Sequence, residues 1–171
     1  SERGVAGGDF VNRITWDEAQ DDLVSTCRLL IGMNDIPLED AIEARFTLEA
    51  SCLPLAAKRR TEEDLSALRD EVYKQRDKDL SDEDFCASDV RFHSVIARSS
   101  GNPLLGFQVS GAVEAMQPLM NMITFTARSR EAIVGFHTRI ADALERSNTL
   151  QHLLLVIGCV SDQSGTAATW P

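Results

Sequence analysis

Apolar residues return along this chain every three or four positions, the period of helices that turn one face inward. Asp17 can cap a helix running to about Met33, with Leu23, Leu30 and Ile31 on its apolar positions. Gly32 and the run NDIP (34–37) end it. Pro37 suits a first helical turn and opens PLEDAIEARFTLEASCLPLAAKR (37–59), where Ile42, Phe46, Leu48, Leu53 and Ala57 make a side to bury. Pro54 lies inside that pattern and is expected to kink or cut the helix. Thr61 and Asp64 have the spacing of a capping box, with Asp in place of Glu or Gln. Leu65, Leu68 and Val72 continue that helix until KQRDKD (74–79), a charge run that reads as a solvated end. Ser81 restarts helix, Gly101 stops it, and Asn102–Pro103 begin the next. That helix runs past Met116 and Met122 towards Arg128, with a bend expected near Pro118; Met116, Met120 and Met122 suit a gap-filling core or a dimer contact. Ser129 caps another helix ending near Ser147–Asn148. A last one holds LLLVI (153–157), apolar all round and therefore expected at the centre. No strand alternation of useful length competes with these signals. The fold class they predict is all-α, an antiparallel bundle of six to seven helices on short loops.

Two of these helices carry polar residues on the inner stripe. Phe85, Asp89, Phe92, His93 and Ile96 share one helix face, so Asp89 and His93 point where the phenylalanines point. Ile133, His137, Ile140, Ala141 and Leu144 form the stripe of a later helix, with His137 inside it. A lone buried carboxylate costs several kcal/mol or takes up a proton, so Asp89 needs a partner. At i,i+4, Asp89 and His93 have Cβ atoms about 5–6 Å apart, close enough to share a cation. Imidazole plus carboxylate suits zinc, nickel, iron or manganese. The residues alone leave a second reading open. In it each imidazole bonds a backbone carbonyl, and Asp89 and His93 form a local pair.

Composition narrows the function. The chain has 171 residues, is 43% hydrophobic and carries a formal net charge of −10. That fits one domain with a real core, and its surface repels phosphate, so the chain by itself is a poor nucleic-acid ligand. No apolar run is long enough to span a membrane, and SERGVAGGDF at the start has no apolar signal core. Cys27, Cys52, Cys86 and Cys159 are widely spaced inside helical patterns, which suits a reduced, cytoplasmic chain better than a disulfide frame or zinc ribbon.

The segment DVRFHSVIARSSGNPLL (89–105) resembles the D-x-x-F-H…SGNP-L-L signature of the FadR C-terminal (FCD) domain, the effector-binding half of GntR-type transcription regulators. LEDAIEARFTLEASCLPLAAKR (38–59) is similar to that domain's E-A-R-x-x-L-E segment, and TEEDLSAL (61–68) to the start of its following helix. FHTRIADALERSN (136–148) is similar to its E-H-x-x-I-x-x-A-L segment. RGVAGGDFV (3–11) looks like the last strand of a winged-helix wing. The resemblance implies a division into residues 1–14, the remnant of a winged-helix wing and linker, and 15–171, a ligand-binding and dimerisation domain.

In many such domains an Asp and three His hold a metal within the bundle, and Asp89, His93 and His137 match the first three. The last His of the family follows about six helical turns later, where this chain has Cys159. A thiolate binds zinc well, so the resemblance implies zinc on Asp89, His93, His137 and Cys159; the plain reading of Cys159 is a small buried hydrophobe. His152 is an alternative, on the same helix face as Cys159 but about 10 Å along the axis. Arg45, from EARFTLE (43–49), matches a residue near the family's effector pocket; its plain reading is a salt bridge to Glu49 or Glu43. The implied function is sensing of a small carboxylate, by a homodimer, with DNA bound only through an N-terminal winged-helix domain outside this chain. Two rivals stand beside it. One is a helical metallohydrolase, which H-E-x-x-H is not there to support. The other is a metal-free helical interaction domain.

Overall fold

The computed structural model describes residues 13–127 and 130–146, the turns from 120 to 127 by backbone alone. Six helices and no strands occur among the described residues: α1 (Trp16–Gly32), α2 (Leu38–Arg59), α3 (Glu62–Gln75), α4 (Asp82–Ser99), α5 (Pro103–Ala127) and α6 (Arg130–Glu145). The expected Ser129 cap and the helix through 153–157 lie outside the described residues.

Local chemistry sets most of the boundaries. Thr61 and Asp64 close the capping box in both directions, with Thr61 N–H donating to Asp64 Oδ2 at 3.0 Å and Asp64 N–H donating to Thr61 Oγ1 at 3.2 Å. Ser81 caps α4 as expected. At the other end Gly101 adopts φ +63°, and a Cβ there would stand 3.1 Å from Arg59 Cδ. Both the backbone and the close approach therefore call for glycine. Asn102 Oδ1 then accepts from the N–H groups of Leu104 and Leu105, with Pro103 as first residue of α5. Two boundaries depart from expectation. α2 starts at Leu38, with Pro37 before it as a non-helical N-cap. The cap of α1 is Thr15, not Asp17, because Thr15 and Glu18 form a complete capping box; Asp17 sits in the first turn, where its charge suits the helix dipole.

Neither internal proline breaks its helix. α2 continues through Pro54, held by the burial of Cys52, Leu53 and Ala56 on either side. α5 continues through Pro118, whose ring nitrogen cannot donate to the carbonyl of Glu114. Arg28 of α1 supplies the missing donor, its Nη2 lying 2.8 Å from that oxygen.

α4 is central, packed against α2, α3 and α5, while α1 lies on α5 and α6 on α3 and α2. The pairs α3–α4 and α4–α5 are joined only by residues 76–81 and 100–102, so each pair runs antiparallel. Leu65, Leu68, Phe92, Ile96, Val109, Val113, Phe136 and Ile140 meet in one core. Burying a phenylalanine such as Phe92 contributes roughly 1.5–3 kcal/mol. The inner stripe of α2 is turned from the one expected: Ala41, Arg45, Cys52, Leu53 and Ala56 are buried, while Ile42, Phe46, Leu48 and Ala57 are only partly so.

α6 is pinned at both ends. Arg130 donates to the Leu80 carbonyl at 2.7 Å and pairs with Asp82. Arg60 bonds the Leu144 carbonyl and, at 3.0 Å, that of Glu145, closing the last turn.

Candidate metal centre

The four helices α2, α3, α4 and α6 each send a polar side chain into the same region. α4 presents Asp89 and His93 one turn apart, with Phe92 between them. α6 presents His137, almost fully buried, its ring stacked on Phe92 with centroids 4.1 Å apart and planes at 17°. The two imidazoles meet edge to face at 5.2 Å. Stacking and burial leave each ring little freedom, so its nitrogens face fixed partners.

Those partners sort the nitrogens. Nδ1 of His93 faces Glu49 Oε2 of α2 at 3.3 Å, and Nδ1 of His137 lies 2.7 Å from Oε1 of Gln75, the last residue of α3. Both rings therefore turn Nε2 towards Asp89 Oδ1, 3.8 Å from His93 and 3.5 Å from His137. One atom from each of Asp89, His93 and His137 lies within 4.8 Å of the others. Ligands on tetrahedral zinc stand about 3.3 Å apart, given bonds of about 2.0–2.1 Å, so a small closure of this triad would fit a metal ion. Burial pushes His137 down to about 3, against the pull of Asp89, so its ring is neutral. A neutral His137 holding its proton on the outer nitrogen would aim a bare lone pair at the Asp89 carboxylate. A cation between them would remove that repulsion.

Arg45 and Glu49 complete the surroundings. Arg45 is buried, with Nε donating to Glu49 Oε1 at 2.9 Å and Nη2 at 3.9 Å from Asp89 Oδ2. Its Nη1 and Nη2 donate no hydrogen bond among the described residues. Burial alone would raise the Glu49 carboxyl, but His93 and Arg45 outweigh it and hold it at about 2. Cys86, a turn before Asp89, goes the other way: burial and the nearby carboxylates push its thiol up to about 11, so it stays protonated.

Four of the five site residues expected from the sequence thus stand together: Asp89, His93, His137 and Arg45. Cys159 and its alternative His152 lie outside the described residues. Asp89 is less buried than its helix face suggested, its side chain 23% exposed, because it sits at the rim of the cluster. Two residues were missed as members of the centre. Glu49 figured only as a salt-bridge partner of Arg45. Gln75 was assigned to a solvated charge run, yet it is 3% exposed. Its signal was the helical period itself, since Gln75 follows Leu68 by seven residues and Val72 by three.

The FCD domain model matches residues 40–151 of this chain. The chain is also similar to an uncharacterized HTH-type transcriptional regulator, YcbG, of Bacillus subtilis (strain 168). The two are 29% identical over 118 residues, 69% of this chain and 48% of that protein. The chain therefore spans about half the length of the curated relative it matches.

Proposed function

The chain belongs to the FCD domain family, and we propose that it is the sensing half of a GntR-type transcription regulator, binding a small carboxylate at a metal centre on Asp89, His93 and His137. The family and the regulator it resembles point to regulation rather than catalysis. In this reading residues 1–14 are the end of a winged-helix wing and linker, and residues 15–171 are the ligand-binding and dimerisation domain. DNA is bound by a winged-helix domain N-terminal to this chain, in a cytoplasmic homodimer.

The observation that carries the proposal is one convergence. One ring nitrogen from each of His93 and His137 and a carboxylate oxygen of Asp89 lie within 4.8 Å of one another, beside a buried guanidinium whose terminal nitrogens donate no hydrogen bond among the described residues. The donor set favours zinc, with nickel, iron and manganese compatible; Cys159 is the proposed fourth ligand. A divalent ion held there supplies positive charge for an incoming acid. Arg45 supplies the planar pair of donors that a carboxylate takes up. Drawing Arg45 towards a bound acid weakens its hold on Glu49 of α2 and Asp89 of α4. The two helices then have a different preferred packing with and without effector, as coupling to a distant DNA-binding domain requires.

The test is metal analysis of untagged protein, followed by melting with and without added zinc. Zinc at a hundred times its Kd is expected to stabilise the fold by about 2.7 kcal/mol, and Asp89→Ala or His137→Gln to abolish that gain. A panel of small carboxylates is expected to raise the melting point further in the wild type and not in Arg45→Met. Protein that holds no metal and gains nothing from zinc, nickel, iron or manganese refutes the centre.

A further inference from the structure

Behind His137 runs a buried polar chain that the proposed centre does not by itself require. Nδ1 of His137 lies 2.7 Å from Gln75 Oε1. Gln75 Nε2 donates to Ser88 Oγ at 3.0 Å. Ser88 Oγ donates to Glu71 Oε2 at 2.7 Å. Glu71 Oε1 is bonded by Lys74 at 2.9 Å and by Arg91 at 3.0 Å. Gln75, Ser88, Glu71 and His137 are all buried, while Lys74 and Arg91 are half exposed.

The chain has a direction. An ionised carboxylate only accepts hydrogen bonds. Burial would raise the Glu71 carboxyl, but the bonds from Arg91, Lys74 and Ser88 outweigh that and keep it below its ordinary value, hence ionised. Ser88 has one hydroxyl proton, and it goes to Glu71. Ser88 Oγ can then only accept from Gln75, so the amide nitrogen of Gln75 faces Ser88 and its oxygen faces His137. Reversing the amide would give Ser88 two acceptors for one proton and set an N–H against the imidazole. With an oxygen at 2.7 Å, Nδ1 of His137 must carry the ring's single proton.

We infer that Gln75, oriented through Ser88 by Glu71, is a positioning residue that holds His137 as the Nδ1–H tautomer and bares its Nε2 lone pair to the centre. Its purpose rests on the metal reading above; the tautomer does not. Asp89 is the competitor. Its Oδ1, 3.5 Å from Nε2, is the acceptor for the opposite tautomer, in which a proton would occupy the ligand position. The shorter bond to Gln75 decides between them, and a ligand ring whose far nitrogen is held in this way is oriented before the metal arrives.

Two-bond proton–nitrogen correlation spectra of the full chain, labelled with nitrogen-15 and stripped of metal by chelator, test this. The three histidines are His93, His137 and His152, assigned with His93→Gln and His152→Gln. His137 is expected as Nδ1–H in the wild type. Gln75→Met, close to isosteric, is expected to shift it towards Nε2–H and to weaken zinc binding roughly 10–100-fold; Ser88→Ala, which frees the amide to turn, is expected to mix the two tautomers. An Nε2–H ring in the wild type overturns the inference, whether or not the variants fold. A folded Gln75→Met protein with unchanged tautomer and zinc affinity overturns it too, since a purely structural glutamine would lower only the melting point. Wild-type protein with the Nδ1–H ring and no zinc binding would leave the tautomer assignment standing and sink the metal centre instead.

Discussion

Replacing Arg45 by methionine isolates the electrostatics of the centre. Among the described residues Arg45 is the cation that faces both Glu49, at 2.9 Å, and Asp89, at 3.9 Å, and it is only 4% exposed. Methionine keeps the length of the stem but strands the Glu49 carboxylate with only His93 beside it. Removing one partner of a buried pair typically costs about 3–5 kcal/mol, because the remaining charge stays desolvated. Glu49→Met strands the guanidinium instead, and it also leaves His93 Nδ1–H without its acceptor, a loss of about 1–3 kcal/mol. The double variant removes both charges. Its cost is expected to fall short of the sum of the single costs by about 2–3 kcal/mol, the upper range for residues in contact. The assay is urea unfolding at pH 7 with chelator present, the slopes compared so that only shifts at constant slope are read as stability. A coupling below about 0.5 kcal/mol, the level seen for independent sites, would refute the account. So would an Arg45→Met cost under about 1 kcal/mol, which is what an exposed pair gives.

The other predictions concern the scaffold that carries the centre. The Asp64 carboxyl is held below its ordinary 3.8: burial raises it, but the Thr61 N–H and hydroxyl and Arg98 outweigh that. A depressed folded value means the stabilisation is present above pH 3.8 and is lost as the pH falls through the lower folded value. Asp64→Asn should cost about 1 kcal/mol at pH 7 and flatten the acid limb; urea midpoints at pH 7 and pH 3 that fall in parallel with the wild type would contradict it. Arg28→Met should cost up to about 1 kcal/mol through the loss of its hydrogen bond to the Glu114 carbonyl. In a Pro118→Ala background the same change should cost close to nothing, because the backbone N–H that alanine restores takes that oxygen; equal costs in both backgrounds would show that Arg28 does not serve the proline gap.

What could be read from the chain, and what could not, divides by the range of the interaction. The capping box at Thr61–Asp64, the Ser81 cap and the Gly101 stop act within one turn, and their residues announce them. The tolerance of Pro118 was hidden, because the donor that rescues it, Arg28, is 86 positions from Glu114. The centre sits between these cases. Asp89, His93 and His137 were legible because each breaks an apolar stripe, and a break in a strong pattern marks a residue whose partner lies on another helix. Glu49 and Gln75 break nothing. Glu49 lies one turn from Arg45, where an ordinary surface pair explains it, and Gln75 lies in a run of charges where a polar amide is unremarked.

Yet Gln75 continues the stripe of Leu68 and Val72, and the period outweighs the residue type. A helix cannot turn one position of its inner face outward, so the amide is carried into the core by its apolar neighbours. Once there it has to satisfy both of its polar ends. Ser88 and His137 do so, and the same requirement that makes the amide tolerable in the core is what sets the proton on His137.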